Sequence, residues 1–200
     1  MSSTATRDNI LANHVASELI GLADILTPLD QESWGISSLC TGWSLREVVA
    51  HLTLPARRSN PAVLAGLALC GFRWHVFADK AAHRDAAIPT SKLLADLRST
   101  RLADWRPPGG GPEGALVHAV VHALDVTVPL GASRPSDAEK VRLVLDALMA
   151  PASLKHFGVD LDGLELRAGD IPWSHGYGRR VTADSEALVL LLSGRTPIPG

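Results

Sequence analysis

His118, His122 and Asp125 stand at positions i, i+4 and i+7 of the segment EGALVHAVVHALDVTVP. On a helix turning by about 100° per residue, the three lie within roughly 60° of one another. Two histidines one turn apart can aim their imidazole nitrogens at one metal ion, as in the helical pair of zinc peptidases. The glutamate that follows the first histidine in those peptidases is Ala119 here, so the segment is not a peptidase motif. A third histidine, His51, interrupts the apolar run VVAHLTL. Three neutral imidazoles with an open position suit zinc, and also nickel, iron or cobalt. Spacing alone leaves a plainer alternative, in which these are surface or hydrogen-bonded core histidines. Asp125 is then either the acceptor that orients an imidazole or an ordinary exposed carboxylate.

Helices must hold these residues. The spacing of Leu11, Val15, Leu19, Leu22 and Leu26 predicts a helix over 7–26, with Pro28 just past its end. Ser44-Leu45-Arg46-Glu47 is a capping-box pattern. It opens a helix over 45–54 that carries His51, and Pro55 kinks or ends it. Pro61 suits the first turn of a further helical stretch running to about residue 82 through Leu64, Leu67 and Phe72. A shorter amphipathic helix is expected over 91–102. RPPGGGPEG, residues 106–114, lacks the Lys-Ser/Thr ending of a phosphate loop and reads as a linker. The histidine helix spans 113–129. Ser136-Asp137-Ala138-Glu139 is a second capping box, opening a helix that Pro151 ends. After residue 157 the pattern changes. Leu164, Leu166 and Ala168 alternate with Glu165 and Arg167 as in a strand. A turn over 170–178, a short strand near 180–182 and a last helix capped by Asp184 follow.

The chain of 200 residues has 19 Lys+Arg against 21 Asp+Glu and a formal charge of -2, which argues against a broad nucleic-acid groove. Its length favours one domain with a small appendage. No apolar run reaches the roughly 18 residues of a membrane span. The first residues carry no basic segment followed by an apolar one, so a cytoplasmic protein is expected. Cys40 and Cys70 form no disulfide framework.

SLCTGWSLREVVAHL resembles the N-terminal signature of the mycothiol-dependent maleylpyruvate isomerase family, part of the DinB-like metal-binding superfamily. The resemblance rests on Cys40-Thr41-Gly42-Trp43 followed by His51-Leu52. It continues in His118 to Asp125 with Leu130-Gly131, then in Asp170, Trp173 and SEALVLLLSGR ending at Gly194-Arg195. The family often has glutamate where His118 stands, and three histidines are the commoner set in the wider superfamily. The resemblance implies a mainly α protein: a DinB-like antiparallel four-helix bundle over 1–157 and a short α/β region over 158–200. It implies a divalent metal on His51, His118 and His122, with mycothiol as cofactor. The implied activity is that of an isomerase or S-transferase on a small electrophilic substrate. A metal-dependent hydrolase and a non-catalytic metal-binding module are the alternatives. No nucleic acid or membrane partner is expected, and a homodimer is left open.

Arg195 could hold an anionic substrate or a thiol cofactor's carboxylate with its planar fork, or simply complement a helix C-terminus. Cys40 belongs to the signature loop and lies either near the metal or as a small apolar loop residue. Trp43 anchors that loop or lines a pocket. Cys70 is expected in the core. His175, on a glycine-flanked turn, is a lesser site candidate, while His14, His75, His83 and His156 read as surface residues.

Overall fold

The computed structural model describes residues 2–134 and 137–197. Helix α1 (Ser2–Leu26) buries the predicted stripe of Leu11, Val15, Leu19, Leu22 and Leu26 and starts five residues before the expected boundary. A 3-10 turn at Ser33–Gly35 buries Trp34. Helix α2 (Leu45–Leu52) opens on the expected capping box, in which the Ser44 N–H donates to Glu47 at 2.7 Å. It ends at Thr53, whose hydroxyl turns back to the Val49 carbonyl at 2.6 Å. Pro55 then sits in the first turn of α3 (Leu54–Arg57), where its missing N–H costs nothing.

One helical stretch expected from Pro61 to about residue 82 is instead two, α4 (Asn60–Leu69) and α5 (Trp74–Asp85), bent by 110°. The break falls at Gly71 and Phe72, both left-handed at φ 62° and 57°. Glycine takes that conformation without a Cβ clash and ends the helix. NPAVLAGLAL is apolar all round, so its periodicity marks neither face nor end, and no residue of α4 is buried. Leu64, Leu69 and Phe72 are exposed, and Cys70 is only partly buried. The helix expected over 91–102 is likewise α6 (Thr90–Leu97) and α7 (Thr100–Asp104), with the Ser99 hydroxyl capping the second.

Helix α8 (Gly111–Thr127) carries His118, His122 and Asp125. It packs on α1 and α2, and α6 closes the bundle around a core that includes Val48, Leu93, Leu97, Leu116 and Val120. Helix α9 (Ala138–Leu148) is capped by the Asp137 carboxylate; Ser136 of the expected capping box lies outside the described residues. Helix α10 (Pro151–Phe157) ends at Gly158, φ 67°.

The C-terminal region forms a three-stranded sheet of β1 (Leu164–Ala168), β2 (Ser174–Gly176) and β3 (Arg179–Ala183) in the order β2-β1-β3. β1 runs antiparallel to β2 and parallel to β3, pairing Leu166 with His175 and Val181. A Cβ at Gly178 would stand 2.2 Å from the Gly163 carbonyl oxygen, so only glycine passes there. Helix α11 (Ser185–Leu192) covers β1 and packs on α9 and α8. Leu166 and Leu188 join the same apolar core as α1 and α8, so the appendage has no separate interior. Asp184 stands at the helix start, but its side chain makes no capping bond. Asp170 caps instead, accepting from the Ser185 N–H and hydroxyl at 2.7 Å each. No single described helix is long and apolar enough to cross a membrane.

Arg57 pins the end of α2. Its guanidinium donates to the Ala50 carbonyl at 2.9 Å, to Asp85 of α5 at 3.1 Å and to Asp96 of α6 at 3.2 Å. All three side chains are largely buried. Arg57→Met should leave Asp85 and Asp96 with only the more exposed Arg84 and Lys92 as partners and lower unfolding free energy by about 1–3 kcal/mol, read by urea denaturation. Burial raises the Asp85 carboxyl, but its bonds to Arg84 and Arg57 outweigh that and hold it below the ordinary value. Its contribution is therefore complete above the unfolded value and lost as pH falls through the native one. The urea midpoint should drop below about pH 4, and drop less in Asp85→Asn.

Candidate metal centre

α2 and α8 cross so that His51 meets His118 and His122. The His51 and His118 Nε2 atoms stand 3.0 Å apart. One ligand nitrogen from each of the three rings lies within 4.8 Å of the others. Two nitrogens on one tetrahedral ion, each about 2.0–2.1 Å from it, would stand roughly 3.4 Å apart. The donor set therefore fits a divalent cation. Burial pushes His51 down to about 3, aided by the neighbouring His122 ring. His118 is held well below the ordinary imidazole value by burial, by His122 and His51, and by Arg195. Both rings are thus neutral, as metal ligands must be. His51 Nδ1 is buried with no hydrogen-bond partner, a loss that a fold tolerates where the ring's other nitrogen has a task.

His122 is held from behind. Its Nδ1 lies 2.8 Å from Asp125 Oδ2. A carboxylate can only accept, so Nδ1 carries the proton and the Nε2 lone pair points forward. Asp125 is fully buried, not exposed, and Arg195 grips it with two parallel bonds of 3.0 Å from Nε and Nη2. Burial raises the Asp125 carboxyl, but the bonds and charges of His122 and Arg195 prevail and hold it well below the carboxylate range. The Cys40 thiol donates to the same carboxylate at 3.0 Å. Burial and the Asp125 charge push that thiol up to about 12, so it stays protonated. The loop that bears Cys40 is fixed by the Leu39 N–H on the Asp125 carbonyl at 3.1 Å.

Arg195 thus reaches the centre, but with its fork occupied. Its Nη1 donates to the Ser193 carbonyl at 2.8 Å. It meets the histidine array through Asp125, which it shares with His122. The Trp43 ring lies 5.2 Å from that of His51, tilted by 54°, and its indole N–H donates to Asp79 at 2.9 Å, which anchors the loop beside the histidines. His175 is exposed on β2 and stacks on Trp173, apart from the histidine cluster. His75 and His156 are exposed, while His14 pairs with Asp137 and His83 with Glu47 and Asp79.

A cavity of about 550 Å³ opens over His51 and His118. Leu54, Val63, Leu67, Trp74 and Trp105 wall it, and Trp105 lies 5.0 Å from the His118 ring. Sequence reasoning missed Trp105, Arg58 and Arg106, all of which line it. The stretch read as a linker begins there: Pro108 forms part of the wall and Gly111 starts α8. The signal was a tryptophan beside that Pro-Gly run, a bulky apolar group that seldom stays in water.

The family model for the mycothiol maleylpyruvate isomerase N-terminal domain matches residues 15–128. The chain belongs to this family. Among solved structures, a mutant of mycothiol-dependent maleylpyruvate isomerase superposes with a TM-score of 0.60 at 14% identity, covering 96% of this chain and 89% of that one. A further structure of mycothiol-dependent maleylpyruvate isomerase gives 0.54 at 16% identity with the same coverage. No curated protein matches the chain in sequence. The family match ends on α8, just beyond Asp125, and the structural likeness extends over the C-terminal region that supplies Arg195.

Asp125→Asn removes the anion that fixes His122 while keeping its shape. Zinc affinity, measured by competition with a chelator, should fall by about 10–100-fold with the circular dichroism spectrum unchanged.

Proposed function

We propose that the protein is a metal- and mycothiol-dependent enzyme of the maleylpyruvate isomerase type, acting on a small electrophilic substrate by isomerisation or thiol transfer. The observation that carries this reading is the convergence of three imidazoles, two of which, His51 and His118, line an apolar cavity. Family membership supplies the thiol. His51, His118 and His122 would hold the metal, with zinc the best match to three neutral nitrogens and nickel, iron or cobalt compatible. When bound, the metal supplies the positive charge that keeps a thiol ionised at neutral pH. Mycothiol supplies the sulfur nucleophile.

The remaining work falls to the chain. Asp125 holds His122 in the tautomer whose Nε2 faces the centre. Arg195 neutralises Asp125 and keeps it from taking a proton. Cys40 spends its thiol hydrogen on that carboxylate and so is not a free nucleophile. Trp43, Trp105 and the aliphatic wall exclude water, which strengthens every charge interaction inside.

Hydrolysis would need a free general base beside the centre. Asp125 is saturated by His122, Cys40 and Arg195, and Glu47 is engaged by Ser44 and His83. The thiol reading is therefore preferred. We place the reaction in the cytoplasm, with the thiol and the electrophile as the partners.

Cobalt-substituted protein tests it. A thiol entering the metal's coordination shell should produce a sulfur charge-transfer band and release a proton. His122→Ala should lose both metal and band. A wild type that binds one cobalt per chain and whose spectrum ignores thiols would refute the thiol reading.

A further inference from the structure

The cavity over the histidines has a chemical character of its own. Its wall is aliphatic and aromatic, from Leu54, Val63, Leu67, Trp74 and Trp105. Its volume of about 550 Å³ falls in the range of sites for drug-sized ligands. Two guanidinium groups line it, Arg58 and Arg106, and no Asp or Glu does. Arg57, the immediate neighbour of Arg58, is engaged by Asp85 and Asp96, but the Arg58 guanidinium has no hydrogen-bond or ion-pair partner among the described residues. Arg106 gives Nη1 to the Ala103 and Trp105 carbonyls at 2.7 and 2.8 Å, which fixes its plane and leaves its other donors without a partner among the described residues. Both side chains are half-buried.

Two half-buried cations on an apolar wall favour an anion with an apolar body. Arginine matches a carboxylate bidentately and stacks on aromatic faces, whereas a hydrocarbon alone would leave both charges uncompensated. We infer that the cavity beside the histidine centre takes an amphipathic carboxylate, its aromatic or long alkyl body against Leu67, Trp74 and Trp105 and its charge on Arg58 and Arg106. This inference rests on the proposal above only in treating cavity and centre as one site.

The test needs neither thiol nor turnover. Binding of 4-phenylbenzoate, the neutral 4-phenylbenzyl alcohol and maleate is measured by calorimetry and by tryptophan fluorescence, which Trp74 and Trp105 should report. The acid should bind at one site per chain, about tenfold or more tighter than the alcohol, because a charge-assisted bidentate contact is stronger than a neutral one. Arg58→Gln and Arg106→Gln should each cost the acid about tenfold and leave the alcohol unchanged. Leu67→Asp should weaken both acid and alcohol. Arg58 makes no side-chain bond that the fold uses, so Arg58→Gln should melt with the wild type. Maleate binding as tightly as 4-phenylbenzoate would overturn the inference, because the site would then select small dianions. Equal binding of acid and alcohol would overturn it too. The two proposals fail separately. A cobalt spectrum that ignores thiols, with 4-phenylbenzoate still bound, sinks only the thiol reading. A thiol-responsive cobalt centre in a protein that does not bind the acid sinks only this one.

Discussion

A fully buried carboxylate is the constraint on which this site is built. Asp125 sits inside the bundle with no access to water, and an ion there is stable only where donors surround it. The donors come from three separated parts of the chain: His122 from its own helix, Cys40 from the signature loop and Arg195 from beyond the last helix. Each arrives already fixed by backbone bonds of its own. The loop hangs from the Asp125 carbonyl, and Arg195 is steadied by the Ser193 carbonyl. The orientation of the third imidazole is thus a property of the whole chain, although the three imidazoles themselves come from two helices.

This explains which parts were legible in the sequence. The histidine helix and its i, i+4, i+7 set could be read because helical geometry is local and regular. His51 could be joined to them because a histidine inside VVAHLTL must either face a partner or lose its solvation. Capping chemistry placed the start of α2 correctly. The partnership of Asp125 with Arg195 could not be read, because it spans 70 residues and no local period marks it. The same limit applies to Asp170, which caps a helix fifteen residues on while the adjacent Asp184 does not. The failures along α4 and α5 have another cause. A helix apolar on every side carries no phase, so neither the bend at Gly71 nor the exposure of Leu64 and Leu69 leaves a trace in the pattern.

The cavity and the bend belong together. By turning through 110° after Leu69, the chain stands α4 off from the bundle and leaves room beneath it. Phe77 then fills the space against Gly66, where even a methyl group would stand 2.5 Å from the ring. Residues that look like misplaced core, Val63 and Leu67, become the ceiling over two histidines. An apolar helix with no buried residue is costly to hold against water, and here one side of it lines the cavity.

The position of Arg195 also sets an order of events during synthesis. His51, His118 and His122 leave the ribosome well before residue 195, so a growing chain can present all three imidazoles while Asp125 still lacks its cation. An unpaired carboxylate cannot settle into an apolar interior, and until it does nothing dictates which nitrogen of His122 keeps the proton. The C-terminal sheet and helix thus act as a closing clasp. Until Arg195 is in place, the trio lacks the fixed third ring that Asp125 orients.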